Sequence, residues 1–189
     1  MQGNRGFTLT EVMMVIGAFL VMSTILVGAL AIGLDFWGVA VCRSEVQASG
    51  QLAMNAMVKE LRNATRSKAG VPPNVLIMPA PNNTSLRLYL PMDIDMDVTI
   101  INAVSGVTEW NINNPINYQF DQPAGQLVRV EGGVTRVLAN NVIAASFDDA
   151  STDIALFKDE IRITMQLRRM TARGRIVARS FLCVVKLRN

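Results

Sequence analysis

The chain has 189 residues, half of them hydrophobic and only 17% charged, with a formal net charge of +3. That balance excludes a disordered chain, and the length suits one domain or one domain with an appendage. Two cysteines are too few for a disulfide scaffold or a four-ligand zinc site, and the absence of histidine removes the commonest general base and metal ligand.

The first element is a run from Val12 to Leu34, 23 residues without a charge. A helix of about 20 apolar residues crosses the roughly 30 Å hydrocarbon core of a bilayer. The run therefore reads as a single membrane anchor. A secretory signal would have a shorter apolar core and a small-residue cleavage site after it. Here Asp35, Phe36 and Trp37 follow, and Trp37 suits the membrane interface. Arg5, the one charge of the short start, places that end in the cytoplasm and the bulk of the chain outside.

Glu11 stands at the cytoplasmic entrance of this run. A carboxylate there is costly unless paired, so it is a functional hypothesis by default. Cleavage after Gly6 would give Phe7 a new α-amino group, and Phe7 and Glu11, four apart, share a helical face. The string Gly6-Phe7-Thr8-Leu9-Thr10-Glu11-Val12, with its long apolar helix, resembles the N-terminal signal of type IV pilins and type II secretion pseudopilins. The resemblance implies that a prepilin peptidase cuts after Gly6 and methylates Phe7, and that Glu11 is the assembly residue. It also implies an anchor helix that becomes filament core. One pseudopilin class lacks this Glu, so Glu11 argues against that class.

The helical pattern continues past the anchor. Val46, Gly50, Ala53, Met57, Leu61 and Ala64 recur at three- and four-residue steps, and no proline occurs before Pro72. Gly70, Pro72 and Pro73 stop the helix. A helix over 8–67 would be about 90 Å long. Its second half needs a partner for the apolar stripe. A coiled coil is disfavoured, because heptads are not sustained.

After Pro73 the period changes to two. Leu86, Leu88 and Leu90; Ile116, Tyr118 and Phe120; and Ile161, Ile163, Met165 and Leu167 each alternate with polar residues. Glu131-Gly132-Gly133 between two such runs predicts a hairpin. The stretch 175–187 is strand-like throughout. Short connections argue for antiparallel pairing. The expected fold is α+β, a long N-terminal helix on a C-terminal antiparallel sheet, which is also what the pilin resemblance implies. The segments NAMVKELRNATR, INYQF, GQLVRV, GGVTRVLANNV and the terminal VVKLRN are similar to J-type minor pseudopilins and the related W-type minor pilins. The organisation expected is a leader at 1–6, a transmembrane or filament-core helix at 7–36, the periplasmic half of that helix at 37–69, and a β-rich domain at 70–189.

Three constellations remain. Asp93, Asp95 and Asp97 alternate, which would gather oxygens for calcium. Some pseudopilins bind calcium, but valines stand at positions 98 and 104, where a calcium loop would want Gly and Glu. A solvated acidic edge is the plainer reading, and no cofactor is expected. Cys42 and Cys183 would both lie outside the cytoplasm, where a bridge between them is open. Charge is uneven: residues 90–157 carry net −7 and residues 158–189 net +7. The two segments could face each other or neighbouring subunits. A DNA-binding stripe is the rival, with Arg173 and Arg175 its test residues, but no aromatics interleave Arg168 to Arg179.

No phosphate loop, metal-ligand spacing or nucleophile elbow occurs, so no enzyme is expected. The resemblance implies a structural minor pseudopilin that primes the tip of a bacterial type II secretion pseudopilus. The alternatives are a minor subunit of a type IV pilus or of a DNA-uptake pilus. The partners implied are other minor pseudopilins or pilins, the prepilin peptidase and an inner-membrane assembly platform, and nucleic acid is not expected. The implied location is the bacterial inner membrane, single-pass, with the domain in the periplasm and later at the filament tip.

Overall fold

A computed structural model of the chain describes residues 8–64, 83–93, 96, 99–101, 109, 113–150 and 152–187. It begins with one unbroken helix, α1 (Leu9–Asn63), of 55 residues. At 1.5 Å per residue it is about 82 Å long. Thr8 caps its first turn and Ala64 closes the last, with the Ala64 amide donating to the carbonyls of Glu60 and Leu61. The helix thus ends before the predicted Ser67, and the Gly70-Pro72-Pro73 stop lies outside the described residues. The glycines at 17, 28, 33 and 38 do not interrupt the helix.

Seven strands follow: β1 (Ser85–Leu88), β2 (Ile116–Asp121), β3 (Gln126–Glu131), β4 (Val134–Asn140), β5 (Val142–Asp148), β6 (Glu160–Met170) and β7 (Ile176–Lys186). All pairings are antiparallel, in agreement with the short connections. They form two sheets rather than the one expected, ordered β1-β2-β3-β4 and β5-β6-β7. The sheets part at Asn141, a single residue between β4 and β5 with φ of 60°. Asparagine tolerates this left-handed conformation better than most residues, so the chain turns a corner there and changes sheet. The turn between β3 and β4 is Gly132-Gly133, with φ of 54° and 81°. Two positive values at a two-residue turn suit the right-handed twist of a hairpin.

One core joins both sheets to the helix. Met57 and Leu61 of α1 meet Leu86, Leu88, Tyr118, Leu127 and Phe147, together with Ile161, Ile163, Met165 and Leu167 of β6. Of these strand residues, Leu86, Leu88, Tyr118, Ile161, Ile163, Met165 and Leu167 are ones that alternation placed inside, whereas Leu127 and Phe147 were not among them. The helix packs chiefly along β7 and also touches β4 and β6.

Candidate functional site

The functional residues lie along α1, and the helix falls into two parts. From Cys42 onward one stripe is buried: Cys42, Val46, Gly50, Ala53, Met54, Met57 and Leu61. Their three- and four-residue spacing keeps them on one face, which the sheet covers. Before Cys42 the large apolar side chains are exposed all round, including Phe19, Leu20, Ile25, Leu30 and Trp37. The apolar part of α1 is long enough to cross a membrane, and none of it is buried by the rest of the chain. Within it, the Thr24 hydroxyl donates to the carbonyls of Leu20 (3.1 Å) and Val21 (2.8 Å). That bond satisfies a polar group which lipid could not.

Glu11 sits in the first turn of α1. Its carboxylate accepts from the Thr8 amide at 2.9 Å and from the Thr8 hydroxyl at 2.9 Å, while the Glu11 amide donates back to Thr8 Oγ1 at 3.3 Å. This is a reciprocal capping box. It gives the carboxylate partners that the sequence argument lacked, although Thr8-Leu9-Thr10-Glu11 carries the T-x-x-E signature openly. Gly6 and Phe7 lie outside the described residues, and with them the pairing of the Phe7 amine with Glu11.

The sheet is fastened to the helix at four levels. Nearest the apolar half, Arg175 pairs with Asp35 at 2.5 Å and Arg173 approaches the same carboxylate at 3.9 Å. Arg173 also donates to the Ala31 carbonyl at 2.8 Å. Farther along, Arg169 pairs with Glu45. Next, the Phe181 ring lies over Gly50, so tightly that a β-carbon there would stand 2.2 Å from it. At the far end Tyr118 donates to Glu60, which also accepts from Arg129 at 3.0 Å; Arg129 reaches Glu131 at 2.7 Å as well. Burial pushes the Tyr118 phenol well above its ordinary range, and the Glu60 carboxylate pushes it the same way. Burial alone would lower the Arg129 guanidinium, but its bonds to Glu60 and Glu131 outweigh that and hold it more firmly charged.

These contacts answer the charge question differently from the sequence. Of the basic residues after position 157, Arg162 pairs with Asp153 of the acidic segment. Arg169, Arg173 and Arg175 instead meet Glu45 and Asp35 on α1, and Lys186 meets Asp159 at 3.4 Å. The acids that complement the basic strands thus lie largely outside the net-negative segment. Nothing in the spacing of Asp35 and Glu45 announced this, because the pairs span more than a hundred residues of sequence.

The two cysteines do not meet. Both are free thiols, Cys42 buried and Cys183 half-buried. Asp35 meets Arg175 and Gly50 meets Phe181, so α1 and β7 run in the same direction. Cys42 precedes Gly50 by eight residues, about 12 Å of helix. Cys183 follows Phe181 by two residues, about 7 Å of strand. The separation along the seam is therefore about 19 Å, whereas a bridge needs Cα atoms roughly 4.4–6.8 Å apart. The bridge considered from the sequence does not form.

Of the alternating acids, Asp93 is described and half-buried, while Asp95 and Asp97 lie outside the described residues. Among the described residues no three acidic or cysteine side chains converge to hold a metal ion.

The fold and this seam define an α+β chain with one N-terminal helix able to span a membrane and a two-sheet domain fastened to the helix's second half. Comparison with protein-family models, with characterised proteins and with solved structures returns no match to this chain.

Proposed function

We propose that this chain is a pilin-like structural subunit, a J-type minor pseudopilin that helps to prime the tip of a bacterial type II secretion pseudopilus. The observation that carries the reading is the division of α1. An apolar rod of 23 residues, Val12 to Leu34, stands outside the subunit's own core, with Glu11 at its start. Such a surface requires an apolar environment from elsewhere. A bilayer supplies it to the single subunit, and the helices of neighbours supply it in a filament. Peptidase cleavage after Gly6 and methylation of Phe7 belong to the same proposal.

The capping box sharpens the role of Glu11. In the lone subunit its own helix N-terminus offsets part of the cost of the charge. A neighbour's amino group would add a full opposite charge in a low-dielectric setting, where a pair is strongest. The reading of the basic strand as a DNA stripe is weaker, since no aromatics interleave Arg168 to Arg179 and Arg169 answers Glu45 on α1.

The test uses two substitutions. Glu11→Leu removes cap and charge; Glu11→Gln keeps a capping side chain and removes the charge alone. Both should insert in the membrane and both should fail to assemble, read by cross-linking and filament yield. Normal assembly of the Gln variant would remove the charge from the mechanism. N-terminal mass spectrometry should find a methylated Phe7, and an intact Met1 would end the family reading. Co-purification then separates a secretion machine from a pilus.

A further inference from the structure

Among the described residues, the turn between β6 and β7, residues 171–175, carries the domain's contacts nearest the apolar half of α1. It is a defined turn. The Thr171 amide donates to the Arg175 carbonyl at 2.8 Å, the Gly174 amide to the Thr171 carbonyl at 2.9 Å, and the Arg175 amide to the Thr171 hydroxyl at 3.1 Å. Gly174 takes φ of 79°, which a side chain would resist. Arg173 and Arg175 project from this turn to α1, and their partners fix its height. Asp35 is the first charged residue after the apolar run, and Ala31 lies one helical turn inside that run. If α1 crosses a bilayer, its last apolar residue, Leu34, marks the outer edge of the hydrocarbon. The tip of the β6–β7 hairpin then lies in the headgroup layer beside the helix.

The charge at the tip is unbalanced. One carboxylate, Asp35, serves two guanidinium groups, leaving one net positive charge. Both arginine side chains remain more than half exposed, at 51% and 58%, whereas Asp35 is 13% exposed. The uncovered side of the pair therefore faces outward, with donors to spare. Beyond the turn, Met170 and Ile176 stand directly opposite each other across the hairpin, both exposed. Phe36 and Trp37 are exposed at the same level of the helix. A cationic fork at the level of exposed Phe36 and Trp37 suits the headgroup layer, where phosphates and aromatic rings both lie.

We infer that the β6–β7 turn is a second, peripheral membrane contact, in which Arg173 and Arg175 together bind the phosphate of an anionic phospholipid headgroup. The contact would hold the domain upright on the bilayer before the subunit is drawn into any assembly. It rests on α1 crossing a bilayer and not on the pilin reading. An intact Met1 would remove that reading and leave this contact untouched.

The experiment uses the full chain reconstituted in a phosphatidylcholine bilayer. The relative association of spin-labelled phosphatidylglycerol and phosphatidylcholine is measured by electron spin resonance. The wild type should prefer the anionic lipid, and 1 M salt should abolish the preference, because exposed charges are screened within about 3 Å there. One net charge near the surface corresponds to about fivefold in association. Arg173→Gln with Arg175→Gln takes the tip from one net positive to one net negative charge and should therefore lower the preference about 25-fold, and the two Lys replacements should retain most of it. Asp35→Asn frees the second guanidinium, a change of one charge, and should raise the preference about fivefold. That opposite sign separates lipid binding from mere loss of docking to α1. Equal association of both lipids in the wild type would overturn the inference. So would a preference that survives the double Gln variant, or one that falls with Asp35→Asn. A duplex oligonucleotide that displaces the lipid and depends on the same two arginines would assign the fork to nucleic acid and overturn it as well.

Discussion

The two halves of α1 share one backbone and one direction but are held in place by different physics. From Val12 to Leu34 the helix is apolar on every side and none of its large side chains is buried within the chain; from Cys42 to Asn63 it is amphipathic and one stripe is sealed under β7 and its neighbours. The first half is rigid because a helix satisfies its own backbone groups wherever water is absent. The second is rigid because a sheet covers it. Hydrophobic residues in one helix can thus serve an external environment or an internal core, and only the polar pattern around them separates the two.

The largest break in that comparison is a truncation in each half. Leu61→Ala removes a fully buried side chain, and the domain should lose about 3 kcal/mol in denaturant unfolding. Leu20→Ala, at a site 60% exposed, should move the same transition by less than about 0.5 kcal/mol. Equal effects would show that the apolar half packs on the domain after all. Next in size is Gly50→Leu, which forces carbon into the space of the Phe181 ring. Overpacking should cost about 1–3 kcal/mol, and Phe181→Ala in the same chain should recover part of it.

Glu60→Gln sharpens the comparison at the far end of the seam. Arg129 keeps Glu131, so the loss should be about 1–2 kcal/mol by thermal unfolding rather than the full cost of a stranded charge. The smallest effect concerns pH. The Tyr118 phenol is raised in the folded state, so its contribution is complete below the unfolded value of about 10 and is lost as pH rises beyond it. Thermal stability should fall above about pH 10, and less steeply in Tyr118→Phe than in the wild type. Identical slopes would show that another group governs alkaline unfolding.

Much of the seam is legible in the sequence. Val46, Gly50, Ala53, Met57 and Leu61 were read from their spacing, and all are buried. The alternating residues of β6 are likewise inside. Period is a local property, and burial follows it whenever a single face is covered. β5 was not read as a strand, because Ala144, Ala145 and Ser146 have weak strand preference and a register irregularity breaks the alternation. The division into two sheets escaped for a related reason: it hangs on one residue, Asn141, inside what looks like a continuous β-rich stretch.

The sequence by itself determined the long helix, its apolar first half, the amphipathic stripe, the two-glycine turn and the antiparallel character of the remainder. Each depends on residues within a few positions of one another. The tertiary structure decided what those elements meet. It set Arg175 on Asp35, Phe181 on Gly50 and Glu60 between Tyr118 and Arg129, and it kept Cys42 and Cys183 apart. Those outcomes turn on the relative direction and register of α1 and β7. Register is set by the fit of whole faces over many residues, and no local pattern states it.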